Sequence, residues 1–246
     1  MQLIAVLFDL DNTLILFDEP VFFENYSRKL YLAFRDLMTP EEFSRKLIQS
    51  TQMMIQNNGE QTNAEFFINA FADGMSEQRA ELWQRFESFY ANEFDQFQPL
   101  MRPVPGVRDL LLKLLAKRLK LVIASNPMFP MNVQQKRLNW AGIDDLNYDL
   151  ITSAENTAFV KPRLEYYQHI CKTLKVQPEN CLMVGNDGFN DMIAAKIGMK
   201  TYLTTDSQHL SIELSRELAS GMKMEMPTPD FKGSVTELWP VIEMML

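Results

Sequence analysis

Four short stretches of this 246-residue chain hold residues whose types and spacing suit carboxylate and anion chemistry. The first is Phe8-Asp9-Leu10-Asp11-Asn12-Thr13-Leu14. In extended backbone, residues i and i+2 share a side, so the carboxylates of Asp9 and Asp11 adjoin. Two ionised carboxylates that close repel each other, unless a divalent cation lies between them or one keeps a proton. Such a pair suits a carboxylate nucleophile with a neighbouring acid/base. The ordinary reading is a turn after a strand, for which Asp, Asn and Thr are all common.

The second stretch is Ser125-Asn126-Pro127, where a hydroxyl and exposed backbone amides can bind a phosphate oxygen. The third is Lys161-Pro162. A residue before proline is driven toward extended backbone, which can aim the ammonium back at a sheet. Taken singly, each is explained as well by a strand-ending turn or a solvated lysine. The fourth is Val184-Gly185-Asn186-Asp187-Gly188-Phe189-Asn190-Asp191. Asp187 and Asp191 are four apart at the expected start of a helix and would share its face. Helix capping accounts for one of these acids but poorly for the whole cluster.

These stretches need elements to position them. Leu3–Phe8, Leu119–Ala124, Tyr148–Thr152, Cys181–Val184 and Lys200–Leu203 are short apolar runs of the kind buried on both faces of a parallel sheet. Between them, Val107, Leu110, Leu111, Leu114 and Leu115 form one helical stripe, and Leu164, Tyr167, Ile170, Cys171 and Leu174 form another. Alternating strands and helices imply a parallel sheet with right-handed crossovers. In such sheets ligands bind beyond the carboxyl ends of the strands, where Asp9, Ser125 and Asp187 would stand.

The segment from about Phe17 to Gln98 has a different texture, with no clear strand run and many aromatics, Glu and Gln. Helices are expected at Val21–Leu37, Pro40–Asn57, Ala64–Asp73 and Glu77–Phe94. Its 14 Asp and Glu against 7 Lys and Arg, counted over Asp18–Gln98, give −7 of the chain's net −8. This predicts a separate lid over the strand ends, with hinges near Leu16–Pro20 and Gln98–Pro105. Met222–Pro229 is read as holding a short edge strand and Val235–Met245 as a closing helix.

Composition narrows the function. No apolar run approaches the roughly 20 residues of a membrane span, and the N-terminus does not read as a signal peptide. The two cysteines, Cys171 and Cys181, form no metal or redox motif, which fits a reducing cytoplasm. The acidic balance disfavours nucleic acid. With only His169 and His209, a His-centred triad or zinc site is poorly supported.

In their order along the chain, the four motifs and the helical insertion resemble the haloacid dehalogenase-like superfamily of hydrolases, over roughly residues 1–16 and 100–205. The resemblance implies an α/β fold: a Rossmann-like doubly wound parallel core (1–16 and 99–246) with a helical cap (17–98). It also implies an Mg²⁺-dependent phosphatase acting on a small phosphorylated metabolite through an aspartyl-phosphate. Asp9 would be the nucleophile and Asp11 the general acid/base, its carbonyl a metal ligand. Thr13 would support the loop. Ser125 and the amide of Asn126 would hold a phosphoryl oxygen, and Lys161 would neutralise charge. Asp9, Asp11 and Asp187 would hold Mg²⁺, with Asp191 a second ligand or the partner of Lys161. Asn186 stands where many relatives have an acid. Asp11 disfavours a dehalogenase, since those relatives lack the second acid. A phosphomutase, and more remotely a non-catalytic metal-binding or interaction protein, are the alternatives.

Overall fold

The computed structural model describes residues 2–207 and 227–246. Its centre is a six-stranded, wholly parallel sheet. The strands are β1 (Ala5–Phe8), β4 (Lys120–Ile123), β5 (Leu150–Ile151), β6 (Cys181–Gly185), β7 (Lys200–Thr204) and β8 (Phe231–Gly233), in the order β5-β4-β1-β6-β7-β8. β1 and β6 are buried along their whole length, as unbroken apolar runs covered on both sides should be. The pleat divides them. Val6, Phe8, Leu182 and Val184 face one core cluster, and Ala5, Leu7, Cys181 and Met183 face the other.

Helices cover both faces. α5 (Val107–Ala116) buries Val107, Leu110, Leu111 and Leu114, and α7 (Leu164–Leu174) buries Tyr166, Tyr167, Ile170, Cys171 and Leu174. α6 (Met131–Trp140) forms the crossover from β4 to β5, and α8 (Leu238–Met245) follows a short 3₁₀ turn at Val235–Glu237. From β1 the chain winds outward through β4 and β5, then returns to β6 on the other side of β1. The winding reverses between β1 and β6, which opens a crevice at their carboxyl ends.

Between β1 and β4 lies the helical insertion. Its helices are α1 (Glu19–Tyr31), α2 (Pro40–Met54), α3 (Asn63–Phe71) and α4 (Arg79–Asn92), followed by a 3₁₀ segment at Phe94–Leu100. The starts follow their caps. Asp18 and Thr39 accept from Val21 and Glu42 amides, with Pro20 and Pro40 in the first turns, and Thr62 and Glu65 form a capping box. The chain leaves and re-enters the core along a two-stranded antiparallel ribbon, β2 (Ile15–Leu16) with β3 (Arg102–Pro103).

Several expectations need correction. The first insertion helix ends at Tyr31 rather than Leu37, because Thr39 before Pro40 must be extended and the intervening turns close with i→i+3 bonds. The ribbon was not foreseen, since two-residue strands leave no periodic signal. The edge strand falls at Phe231–Gly233, not within Met222–Pro229, of which 222–226 lie outside the described residues, as does His209. Cys171 and Cys181 are buried core residues as expected, members of one apolar cluster, and the Cys181 thiol donates to the Gln177 carbonyl at 3.5 Å. Among the described residues, no helix is long and apolar enough to cross a membrane.

Candidate active site at the carboxyl end of the sheet

Asp9 follows β1, and its amide donates to the carbonyl of Val184 on β6. The loop then turns sharply at Asn12, whose φ of 55° lies in the left-handed region that Asn tolerates. Asn12 Oδ1 accepts the Phe17 amide (3.1 Å) and its Nδ2 donates to Glu19 (2.9 Å). Thr13 Oγ1 lies 3.2 Å from Asp9 Oδ2 and 3.1 Å from Asn186 Oδ1, tying the first motif to the fourth.

Lys161 is the centre of the site. Its ammonium is buried and donates to Asp9 Oδ1 at 2.8 Å and Asp191 Oδ1 at 2.6 Å. Burial alone would favour a neutral amine, but Asp191 and Asp9 hold its pKa well above the usual lysine value, so it stays charged. Burial also pushes the Asp9 carboxyl up, against the pull of Lys161 and with Asp11 adding repulsion. The Lys161 amide donates to Asn126 Oδ1 (3.2 Å), so the second motif holds the third in place.

Asp191 is the partner of Lys161, and its other oxygen accepts the Asp187 amide at 3.0 Å. Gly185 is required here: a Cβ would sit 2.1 Å from Asp191 Oδ2. The helix expected after the fourth motif is a 3₁₀ segment, Met192–Ile197, so Asp187 and Asp191 do not share an α-helical face. Asp187 Oδ1 instead accepts the Phe189 and Asn190 amides, and Oδ2 accepts Asn190 Nδ2.

Ser125 is fully buried, with its carbonyl held by Thr152 Oγ1 (2.7 Å) and the Tyr166 hydroxyl (2.8 Å). Two groups near it were missed at the sequence level. Arg137 on α6 is fully buried and donates to both oxygens of Asp11 at 2.7 Å, to Ser125 Oγ at 3.3 Å, and to Gln134. Its signal was present: Val133, Arg137 and Trp140 share a helical stripe, and a basic residue on an apolar stripe needs a reason. Glu19, at the start of α1, reads in sequence only as a first-turn acid. Burial raises its pKa to about 7, with Asn12 opposing and Asp11, Asp9 and Asp187 adding repulsion.

Five carboxylates, those of Asp9, Asp11, Glu19, Asp187 and Asp191, thus form one electrostatically linked group, and the cationic groups beside them, Lys161 and Arg137, are already engaged. Among the described residues, no three acidic, His or Cys side chains converge as a preformed metal cluster. Asp11 turns to Arg137, and Asp187 caps the turn that follows it. The donor set nevertheless fits a hard divalent cation, being all oxygen and net negative. The buried Asn186 Nδ2 beside it has no partner.

The insertion meets the same end of the sheet. Asn63 and Ala64 amides donate to Thr157 and Ala154 carbonyls (2.8 Å each), and Lys136 donates to the Ala91 carbonyl and Asp95.

A family model described as haloacid dehalogenase-like hydrolase matches residues 5–197. No curated protein matches the sequence. Solved structures match over nearly the full length. A predicted phosphoglycolate phosphatase from Haemophilus somnus shares 19% identity over 99% of both chains (TM-score 0.58). HAD-hydrolase YfnB from Bacillus subtilis, a provisional assignment, is bound to magnesium in a structure said to reveal interdomain movement. It shares 21% identity over 99% of this chain and 100% of its own (TM-score 0.55). A provisionally named beta-phosphoglucomutase from Thermotoga maritima shares 21% over the whole of both chains (TM-score 0.54). Dehalogenases are also among the matches. At these identities the likeness is one of fold.

Proposed function

The chain belongs to the haloacid dehalogenase-like hydrolases, and from that premise we propose that it is an Mg²⁺-dependent phosphatase of small phosphorylated metabolites with Asp9 as nucleophile. One observation carries the reading: a buried ammonium bridges Asp9 and Asp191, with a second acid, Asp11, two residues beyond the first. Lys161 holds the Asp9 oxygen in place and offsets the charge that a dianionic ester would bring beside it. Asp9 attacks phosphorus, the bond to the leaving oxygen breaks, and that oxygen takes a proton from Asp11. Water then attacks the aspartyl-phosphate, Asp11 takes its proton, and Asp9 is restored with release of phosphate.

Ser125 and the Asn126 amide supply the oxyanion contacts. Arg137 positions Asp11 for both roles: its Nη1 donates to both carboxyl oxygens at 2.7 Å and so fixes where that group stands. A phosphoryl oxygen bound at Ser125 would lie beside Arg137 Nη2, which donates to Ser125 Oγ at 3.3 Å. Mg²⁺, held by Asp9, the Asp11 carbonyl and Asp187, would supply positive charge that offsets the repulsion of carboxylates and substrate. Residues 17–98 would be the cap, closing over the site to exclude water, with the β2–β3 ribbon at its hinge. The interdomain movement described for the magnesium-bound relative supports that reading.

The test is phosphate release from a panel of small phosphate esters. The expected result is turnover that needs Mg²⁺, no phosphorylated activator, and Asp9. Full activity after exhaustive chelation contradicts the scheme. Dependence on a phosphorylated activator would favour a mutase, and halide release from 2-haloacids without ester hydrolysis would favour a dehalogenase.

A further inference from the structure

We propose that the leaving group of the substrate is uncharged and largely apolar, an arylalkyl or branched-alkyl alcohol, and that it binds in a cavity between the insertion and the loops after β4 and β5. This rests on the phosphatase reading and names a substrate class for it. The cavity has a volume of about 280 Å³. Phe23, Leu47, Phe67 and Trp83 line it from the insertion, and Phe129 and Ala154 from the core.

Its place relative to the chemistry carries the argument. Phe129 and Ala154 belong to loops at the carboxyl ends of β4 and β5, the end that bears Asp9 and Ser125. Phe129 also joins the two regions, lining the cavity and packing against a residue of the catalytic end. Its ring packs 5.1 Å from Arg137 Cζ, and Arg137 holds Asp11 at 2.7 Å. The cavity wall is thus one side chain away from the acid that protonates the leaving oxygen.

The lining sets the chemical class. Among the described residues, none that lines the cavity is charged, and the polar side-chain groups of its lining residues are the hydroxyls of two serines and a threonine, the Trp83 indole N–H and the Tyr26–Tyr90 pair, 2.7 Å apart. A second phosphate or a carboxylate on the leaving group would enter with no cation to meet it. A polyol would leave most of its hydroxyls against rings and aliphatic chains, stripped of water without replacement bonds. An apolar group with one or two polar atoms finds both kinds of partner.

The experiment compares esters of unactivated alcohols in Mg²⁺ buffer. The expected kcat/KM for 2-phenylethyl phosphate and 3-methylbutyl phosphate is at least about 100-fold above that for glycerol 3-phosphate and ribose 5-phosphate. Leu47→Arg, which puts a cation into a half-buried position of the wall, should reduce that ratio at least about 10-fold, and Leu47→Met should preserve it. Calorimetric binding of 2-phenylethyl phosphate to Asp9→Asn, weakened by adding Leu47→Arg, reads the cavity without turnover. Asp9-dependent hydrolysis that is equal across the series, or favours the polyol esters, overturns this substrate class and leaves the phosphatase reading standing. Absence of hydrolysis of every ester, or hydrolysis that persists in Asp9→Asn, overturns the phosphatase reading and this inference with it.

Discussion

At the carboxyl end of the sheet the buried side chains include Asp9, Ser125, Lys161 and Asp191, whereas the interior of the helical insertion is built from Phe34, Phe43, Phe71 and Phe86. Both regions are closely packed, but the contacts that hold them differ. In the insertion, ring meets ring: Phe34 lies edge-to-face or tilted at 5.2 Å from Phe43, 5.6 Å from Phe71 and 4.8 Å from Phe86, and Phe67 stacks on Phe71. In the catalytic end, every buried charge is met by an opposite charge or a hydrogen bond, as burial of ions demands. The first arrangement tolerates many sequences of similar volume. The second depends on particular atoms, so the two regions should fail differently when changed.

The largest contrast comes from Asp9→Asn. The amide is nearly isosteric but is no nucleophile, so phosphate release should fall on the order of 10⁴-fold or more. Far-ultraviolet circular dichroism should remain native. Residual turnover near the wild-type rate would remove Asp9 from its role.

Phe34→Ala should act in the opposite sense. Emptying a fully buried ring site is expected to cost about 3–5 kcal/mol of unfolding free energy. The folded fraction should keep its catalytic rate, since Phe34 touches neither the cavity nor the carboxylates. Denaturant titration with active-site counting separates the two effects. A variant that is fully stable, or folded yet inactive, would break the contrast.

Arg137→Lys keeps the charge but loses the planar fork whose Nη1 reaches both oxygens of Asp11 while its Nη2 reaches Ser125 and Gln134. The expected loss is about 10- to 100-fold in kcat with a smaller change in KM, as for a misplaced acid/base. A shift in the pH profile should accompany it, which a purely structural role would not produce. An unchanged profile with only a lower unfolding temperature would reduce Arg137 to scaffold.

The smallest effect concerns Glu19. The unfolded chain releases this proton near 4.5 and the native chain near 7, so between those values the native state holds the extra proton. Stability therefore falls as pH rises through that window, and the penalty is complete above about 7. Glu19→Gln should remove it, gaining on the order of 1–2 kcal/mol at pH 7.5 and little at pH 4.5. Mg²⁺ should shrink the difference by relieving the same repulsion. Equal stability of the two chains at both pH values would show that burial and the neighbouring carboxylates do not disfavour the Glu19 charge.

The same contrast explains what could be read without a structure. The parallel core was legible because β1, β4 and β6 are apolar runs bounded by motif residues, and Asp9, Ser125, Lys161 and Asp191 were legible because each follows or precedes such an element. The pairing of Asp191 with Lys161 was left open, since 30 residues separate them and only the return of the chain to β6 brings them together. Arg137 was missed because the helix carrying it has weak apolar patterning, with two of its buried residues polar. The cavity was illegible for a plainer reason: Phe23, Phe67 and Trp83 have the helical spacing of ordinary bundle core, and spacing does not say whether a ring meets another ring or a ligand.

The central claim is that the phosphoryl group passes through the Asp9 carboxylate. Mixing enzyme, Mg²⁺ and a hydrolysed ester, quenching in acid, and reducing with borohydride converts an acyl phosphate to an alcohol that survives digestion and mass spectrometry. The predicted result is homoserine at position 9, formed only when substrate is present. Steady turnover with Asp9 unmodified, or with the reduction product at another residue, would contradict it.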